Sequence, residues 1–402
     1  MFNLDPIKKG DQLVSHFEDI QMDYYQRGDE RHKQFPLSFL EWEGKAREVL
    51  AAGPFGYVYG GAGHGETMEA NLRGFCQYRI RPRVCCDVTM RDIGIKLFGH
   101  ESKVPFLLAP IGVNSIFHVD AELAPAKAAK KLGVPYVLSH VASTAMEKIS
   151  EIMGDALRWF QLYPPKNEEL TQSFLQRAEK SGFAAIVVTV DSTLLGWREA
   201  DLRNAYLPFM EGHGMANYFT DPVFLSLLEH PPDNELKAAV LKALDEGNNM
   251  CFTWKQFEFI RRNTKLPLLI KGVTHPHDAL LAIEYGADGI VVSNHGGRQL
   301  DGAIGTMEAL PSIVNAVNDK VPILLDGGIR HGADIIKAIA LGAKAVQIGR
   351  PYIYGLSVAG QAGVEQVILN LMAETELQLA ISGKAQISEV DGSLIWNIHD
   401  PL

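Results

Sequence analysis

Residues 293–301 read Ser-Asn-His-Gly-Gly-Arg-Gln-Leu-Asp and directly follow the apolar run 289–292. Glycine lets the backbone turn sharply and approach a ligand closely. His295 can transfer a proton near neutral pH, and Arg298 can hold a carboxylate through two parallel hydrogen bonds. This segment thus combines a base, a backbone that a ligand can approach closely and an arginine that can bind an anion. Their position directly after a buried strand predicts a catalytic loop at the end of that strand.

Further side chains of the same chemical types follow other apolar runs. Asp191 ends one of them, and a carboxylate beside a histidine orients the ring and stabilises its charged form. Arg198 is a second candidate carboxylate clamp, although its position is equally consistent with a surface ion pair. Tyr57 and Tyr163 could donate phenol hydrogen bonds, or they could be core or rim residues.

Eight apolar runs separated by amphipathic stretches predict the elements that position these side chains. The predicted strands cover 104–110, 134–140, 157–163, 184–191, 266–273, 289–295, 321–328 and 345–350. Continuous apolar runs are typical of strands buried on both faces, as in parallel sheets. Eight βα units in series predict a closed (β/α)8 TIM barrel, whose active site lies at the C-terminal ends of the strands. The alternative, an open doubly wound sheet, would need a glycine-rich dinucleotide turn, and 109–112 does not provide one.

The whole chain, 1–402, is interpreted as a single domain. It comprises an N-terminal helical cap over 1–103, the barrel over 104–383 and a C-terminal tail over 384–402. Helices are predicted in the cap at 36–49 and 66–75. About seventy residues separate the fourth and fifth predicted strands. This insertion, 192–265, is interpreted as a lid or specificity loop at the active site.

Glycines after the last two predicted strands indicate a phosphate site. The two segments are Asp326-Gly327-Gly328-Ile329-Arg330 and Gly349-Arg350. This fold usually binds phosphate there, through backbone amides and a cation. FMN carries such a phosphate, and Ser139, Gln161 and Thr189 could meet the edge of its ring. Lys271 could lie beside the part of the ring that becomes anionic on reduction, or it could form a Schiff base with a carbonyl substrate.

The composition argues against several classes of partner and site. The chain has 402 residues, a net charge of −10 and no basic run, which argues against nucleic acid. No apolar stretch is long enough to span a bilayer, and the N-terminus does not read as a signal peptide. The four cysteines, Cys76, Cys85, Cys86 and Cys251, lack metal-binding spacing. We therefore expect no metal site and a reduced, cytoplasmic protein.

These residues together resemble the FMN-dependent 2-hydroxy acid oxidising family. The family's Ser-Asn-His-Gly-Gly-Arg-Gln signature stands here at 293–299, and the resemblance extends over about 57–372. The resemblance implies FMN as the cofactor, a small 2-hydroxy acid and O2 as substrates, and a homo-oligomer, either a tetramer or an octamer.

The resemblance also implies a role for each candidate residue. The implied catalytic and substrate-binding residues are the base His295 with its partner Asp191, the carboxylate ligands Tyr57, Arg198 and Arg298, and Tyr163, which would bond the substrate hydroxyl. The implied FMN contacts are Ala109, Pro110, Ile111, Gly112, Ser139, Gln161, Thr189, Lys271, Ser293, Asp326, Gly327, Gly328, Arg330, Gly349 and Arg350. Among these, Lys271 would neighbour N1 and O2 of the flavin, and Asp326 would contact the ribityl chain. Arg330 and Arg350 would bind the phosphate.

Three features are similar to the lactate 2-monooxygenase branch of the family. They are Gly112, where lactate and glycolate oxidases typically have alanine, the stretch 217–224, and Gly-Trp-Arg at 196–198. The Gln-Leu-Asp-Gly at 299–302 instead matches the oxidases. We expect L-lactate and O2 to give acetate, CO2 and water. The alternatives are an oxidase that releases pyruvate and H2O2, an acceptor-linked dehydrogenase, and a flavin-free phosphate-binding lyase or isomerase that uses Lys271.

Overall fold

The computed structural model of this protein describes residues 19–26 and 35–400. Within them the strands are β1 Tyr78–Ile80, β2 Ile95–Leu97, β3 His100–Ser102, β4 Phe106–Leu108, β5 Tyr136–Leu138, β6 Arg158–Leu162, β7 Ile186–Thr189, β8 Leu268–Val273, β9 Gly289–Val292, β10 Ile323–Leu325, β11 Ala345–Ile348 and β12 Ile395–Asn397. Strands β4 to β11 pair in parallel with their neighbours along the chain, and β11 closes onto β4. This closed barrel confirms the predicted (β/α)8 TIM barrel and is incompatible with an open sheet.

Helices cover the outside of the barrel and also occur in the N-terminal cap and in the insertion 192–265. Over the described residues they are α1 at 19–26, α2 Phe39–Val49, α3 Ala52–Tyr59, α4 Glu66–Cys76, α5 Leu123–Leu132, α6 Met146–Met153, α7 Glu168–Lys180, α8 Glu199–Arg203, α9 Ala216–Phe219, α10 Pro222–Ser226, α11 Leu236–Gly247, α12 Trp254–Arg262, α13 Pro276–Glu284, α14 Thr306–Val317, α15 Gly332–Ala340 and α16 Arg350–Ile381. Helix α16 is kinked at Ala359 and Gly360, which leave helical geometry. None of the described helices combines the length and the apolar content needed to cross a bilayer.

The interior of the barrel changes from apolar to polar toward the C-terminal ends of the strands. The apolar layer takes one side chain from each strand: Leu107, Val137, Trp159, Val187, Leu269, Val291, Leu324 and Ala345. Alternate residues of a strand point to the same side, so the residues two positions further on form the next inward layer. That layer is Ala109, Ser139, Gln161, Thr189, Lys271, Ser293, Asp326 and Gln347, all buried. Buried polar groups need hydrogen-bond partners. This polar layer lies at the C-terminal ends of the strands, where the fold places its active site.

The N-terminal cap contains the two helices that the sequence predicts, with slightly different bounds. Helix α2 begins at a capping box in which Ser38 and Glu41 bond each other's backbone N–H groups, and α4 matches the prediction at 66–75. The sequence does not predict α3, because its glycines and proline disfavour helix. The helix forms because Phe55 and Val58 are buried against the core, which outweighs the weak local preference.

The C-terminal tail returns to the cap. Strand β12 pairs antiparallel with β1, with Tyr78 opposite Asn397. The cap in turn contacts the barrel mouth, where the Ala62 N–H donates to the Gly297 carbonyl at 2.8 Å. The division into cap, barrel and tail stays an interpretation.

The insertion 192–265 consists of short helices rather than an open loop. It contains α8 to α11 and a 3-10 turn at Pro208–Glu211, and it ends with α12. Helix α12 buries Phe257 and Ile260 and leads into β8, so it serves as the helix of the fourth βα unit.

Candidate active site

The C-terminal ends of the barrel strands open into one cavity that collects most of the predicted site residues. Its walls include Tyr57, Ala109, Pro110, Ile111, Gly112, Tyr163, Arg198, Lys271, His295, Arg298, Asp326, Gly327, Gly328, Arg330, Gly349 and Arg350. The other five predicted residues, Ser139, Gln161, Thr189, Asp191 and Ser293, are not part of the wall. Each of them is buried or half-buried in the layers directly beneath it.

His295 lines the cavity and is hydrogen-bonded directly to Asp191, which lies beneath the wall. The backbone at His295 has φ of +58°, which is unusual for a residue with a side chain and continues into two left-handed glycines. This turn brings Nδ1 within 2.8 Å of an Asp191 carboxylate oxygen. Nε2 lies 3.4 Å from the Tyr163 hydroxyl. The ring therefore has one nitrogen fixed by a carboxylate and one facing the cavity.

The protonation of this pair follows from burial and charge. Burial lowers the pKa of His295 below its usual range, and the Asp191 carboxylate opposes this only in part. Burial alone would raise the pKa of Asp191, but the charges of His295 and Lys271 outweigh it and hold that pKa at about 2. At neutral pH the pair is therefore a carboxylate beside a neutral imidazole, and Nε2 is free to accept a proton.

Ser192 contacts both members of this pair and is not predicted from the sequence. Its hydroxyl lies 2.9 Å from Asp191 Oδ1 and 3.0 Å from His295 Nδ1. The sequence feature that could have indicated Ser192 is its position directly after Asp191, at the end of a predicted strand. Ser192 adds a second contact that fixes the orientation of both groups.

Two arginines and a tyrosine meet next to the histidine. Arg198 donates to the Arg298 carbonyl at 3.1 Å and to the Gln299 side chain at 2.8 Å. Arg298 donates to the carbonyls of Tyr57 and Gly60, and its guanidinium lies over the Tyr57 ring, 4.7 Å from the centroid. These contacts hold both guanidinium groups at the cavity wall.

The arrangement of Arg298 leaves it suited to bind an anion. Its Nη2 has no hydrogen-bond partner among the described residues. Burial and the nearby charge of Arg198 lower the pKa of Arg298 to about 9. A carboxylate bound between the two guanidinium groups would pair this donor and offset their mutual repulsion.

Lys271 is tied into the polar layer by an acid and a hydroxyl. Its ammonium lies 3.1 Å from Asp326 and 2.9 Å from Ser293 Oγ. Burial would lower the pKa of Lys271, but the charges of Asp326 and Asp191 outweigh it and raise that pKa. The side chain is therefore a fixed cation at the bottom of the cavity.

Several polar atoms of the same layer are buried without a hydrogen-bond partner among the described residues. They are Gln161 Nε2, Thr189 Oγ1, Asp326 Oδ1 and both amide atoms of Gln347. Each buried unpaired group costs about 1–3 kcal/mol. Gln347 is a second site residue that is not predicted from the sequence. A glutamine inside the otherwise apolar strand β11 was the signal for it.

The far end of the cavity is built from glycines and arginines. Gly327 and Gly328 have φ of +90° and +87°, and Gly349 precedes the first turn of α16. Arg330 keeps an unpartnered Nε among the described residues. Arg350 instead donates to the carbonyls of Val58, Gly60 and Gly296. Arg350 thus ties the cap to residues 293–301, and its predicted contact with phosphate stays a prediction.

Comparisons with known proteins identify the family. The sequence model of the family described as "FMN-dependent dehydrogenase" matches residues 46–397. The chain belongs to this family. Membership confirms the predicted family and its cofactor, FMN.

Curated relatives and solved structures match this chain over most of its length. An L-lactate oxidase of Lysinibacillus sphaericus is 46% identical over 88% of this chain and 91% of its own. The human 2-hydroxyacid oxidase 1 is 38% identical over 88% of this chain and 95% of its own. A crystal structure of mandelate oxidase matches with a TM-score of 0.79 and 37% identity, covering 88% of this chain and 96% of its own.

The residues present fit FMN. The unpaired atoms of Gln161, Thr189 and Gln347 are suited to the nitrogens and oxygens at the edges of a flavin ring, and Lys271 supplies a cation at the same level. The glycines at 327, 328 and 349, together with Arg330, form the end of the cavity that suits a phosphate. The individual contacts of the predicted residues with FMN stay predictions.

Proposed function

We propose that this protein uses FMN to oxidise the α-carbon of small L-2-hydroxy acids, with L-lactate as the simplest substrate and O2 as the acceptor. The single observation that supports this proposal most is that His295, bonded to Asp191, lines the same cavity as Arg198 and Arg298. A base and a carboxylate clamp are the two groups that a 2-hydroxy acid requires. The similarity to an L-lactate oxidase and to a 2-hydroxyacid oxidase supports the same substrate class.

Substrate binding is assigned to the arginine pair and the two tyrosines. The carboxylate lies between Arg198 and Arg298, with the Tyr57 phenol beside them. Tyr163, whose pKa is raised by burial, remains a neutral donor to the substrate hydroxyl. Fixing the acid at both ends holds its α-carbon in one orientation, which is a large part of the rate gain available to such a site.

Proton transfer is assigned to His295. Its neutral Nε2 accepts the proton as the α-carbon is oxidised, and Asp191 stabilises the imidazolium that forms. FMN supplies the two-electron acceptor when bound. Lys271 would supply a fixed positive charge that stabilises the negative charge which FMN gains on reduction.

We assign the oxygen reaction to the monooxygenase type. Its balance is one lactate and one O2 giving one acetate, one CO2 and one water. The support is Gly112: a Cβ at this position would come within 2.5 Å of the Val141 carbonyl and 2.6 Å of Val141 Cγ2. Glycine therefore allows Val141 to pack directly against residue 112, and a larger residue there would displace Val141 in the wall of the cavity that would hold the keto acid. The L-lactate oxidase and the 2-hydroxyacid oxidase that resemble this chain carry oxidase names, so release of pyruvate and H2O2 is the alternative outcome.

The flavin-free lyase or isomerase receives no support. A Schiff-base lysine needs a depressed pKa, whereas the pKa of Lys271 is raised by Asp326 and Asp191. Its ammonium is also engaged by two partners.

Product analysis of purified holoenzyme under air tests the proposal. We expect acetate and CO2 from L-lactate, without stoichiometric H2O2. Stoichiometric H2O2 with pyruvate would assign the oxidase reaction, and negligible oxygen use would assign an acceptor-linked dehydrogenase. If no 2-hydroxy acid reduces the flavin, the proposed substrate class is refuted. The cytoplasmic location and the homo-oligomeric state stay predictions.

A further inference from the structure

One part of the active-site cavity is apolar and has no role in the chemistry proposed above. We call it the side-chain recess, and its walls are Phe117, Val141, Phe209, Met215, Tyr218, Ala243, Leu244, Gly247 and Asn248. None of these nine described side chains is charged. The recess is continuous with the part of the cavity that His295, Tyr163 and Arg298 line. It therefore borders the site at which the base and the arginine pair would hold a 2-hydroxy acid.

We propose that the recess is a subsite for an apolar substrate side chain several carbons long, as in L-2-hydroxyisocaproate. L-Lactate is then an acid that the site accepts but not the one that it prefers. This inference rests on the proposed function, because the arginine pair must first hold the carboxylate.

Small residues on one face of α11 open the recess. Ala243 and Gly247 are four residues apart and thus lie on the same face of the helix, and both line the cavity. A Cβ on Gly247 would come within 3.4 Å of the Tyr218 hydroxyl. Larger residues at these two positions would fill the space that a substrate chain needs.

The recess favours an apolar chain over a second carboxylate. Its polar groups are the Tyr218 phenol and the Asn248 amide, neither of which carries a compensating positive charge. Burial and the neighbouring Glu246 and Asp221 raise the pKa of Tyr218, so its hydroxyl stays neutral. An anionic side chain would be desolvated here without an ionic partner, which is costly.

The wall of the recess is held in a fixed shape. The buried Asn217 amide donates to the His140 carbonyl at 2.8 Å and accepts from the Met146 N–H at 2.9 Å. The Ala216 N–H donates to the Ala142 carbonyl at 3.1 Å. The ring of Tyr218 stacks on His140 with 4.8 Å between centroids. A subsite shaped in advance discriminates by size without first ordering a loop.

A chain-length series with the purified holoenzyme tests the inference directly. The probes are L-lactate, L-2-hydroxybutyrate, L-2-hydroxycaproate and L-2-hydroxyisocaproate, and the readout is kcat/KM from oxygen uptake and from anaerobic flavin reduction. Each methylene buried against an apolar wall is worth up to about fourfold. We expect L-2-hydroxyisocaproate to exceed L-lactate by about tenfold or more. A flat or falling series would overturn the inference while leaving the proposed function intact. Absence of flavin reduction by every acid would instead refute both.

A filled recess supplies the second test. Ala243→Phe should reduce the preference for L-2-hydroxyisocaproate over L-lactate by about tenfold or more. The matched control is Leu241→Phe, which adds the same ring at a position 49% exposed on the same helix and should keep the preference. If Ala243→Phe does not bind FMN, the smaller Ala243→Val replaces it and should reduce the preference in part. Full preference in a recess variant that binds FMN would overturn the placement of the substrate chain.

Discussion

The active-site cavity has two halves that differ in origin and in chemistry. The polar half comes from the ends of the barrel strands and contains His295, Asp191 and Lys271, each bonded to a charged or polar neighbour. The apolar half is the side-chain recess, which comes mainly from the insertion 192–265 and contains no charged side chain among its described lining residues. The polar half positions the reacting groups. The apolar half determines which molecules reach them in a productive orientation.

The two halves also differ in how they are held. In the polar half, contacts to carboxylates fix the groups: the neutral His295 ring is hydrogen-bonded to Asp191 at 2.8 Å, and Lys271 forms an ion pair with Asp326 at 3.1 Å. In the apolar half, hydrogen bonds between the Asn217 side-chain amide and the backbone of His140 and Met146 fix the wall. Substitutions in the polar half should therefore change rate and pH dependence, whereas substitutions in the recess should change the choice of substrate.

The largest effect is expected from removing the base. His295→Gln cannot accept the proton, and kcat should fall by about 10⁴-fold, the upper range for a general base. Single-turnover flavin reduction measures the loss, and the absorbance of bound FMN serves as the control for cofactor content. A variant that retains FMN and reduces it within tenfold of the parent rate would contradict the role of His295.

Asp191→Asn should have the next largest effect, about 10³-fold on kcat, because it removes the charge that stabilises the imidazolium. It should also move the pH profile. Asp191 raises the pKa of His295, so its removal should shift the acidic limb of kcat/KM to lower pH while the plateau falls. Loss of rate with an unmoved limb would indicate a purely structural role.

Lys271→Met should slow flavin reduction by about 10²-fold, because it removes the cation beside the developing negative charge. FMN should still bind, since the ring edges and the phosphate end have other partners. Lys255→Met, at an exposed lysine on α12, is the matched control. Unchanged reduction kinetics in Lys271→Met would count against the assigned role.

The parent enzyme should itself show an acidic limb set by His295. The base must be neutral to act, and burial lowers its pKa below the usual 6.5. Values of kcat/KM should thus be constant at neutral pH and fall as pH drops through a pKa below 6.5. A limb centred above 6.5 would mean that Asp191 outweighs burial in the working enzyme.

The same contrast explains how far the sequence alone predicts this molecule. The eight strands and the candidate residues at their ends are predictable, because a buried strand that ends in His295 or Asp191 is a local pattern. Gln347 could also have been predicted, because alternate residues of a strand point to the same side, but it was missed. The recess was not predictable, because its shape depends on contacts such as Asn217 with His140 between distant segments. Helix α3 was missed since burial of Phe55 and Val58 outweighs its local sequence.

Gly112→Ala should cause the smallest change in rate of these variants. It should also change the products of the reaction. This residue lies where the two halves meet, and an added methyl would press against the Val141 carbonyl and side chain. It should lower kcat for L-lactate by about tenfold or less, as expected for overpacking at one site. It should also raise the share of turnovers that release pyruvate and H2O2, because displacement of Val141 would change the part of the cavity wall that would hold the keto acid. Peroxide and acetate yields per O2 consumed measure this partition. An unchanged partition, with FMN content preserved, would mean that Gly112 shapes the cavity without controlling the fate of the product.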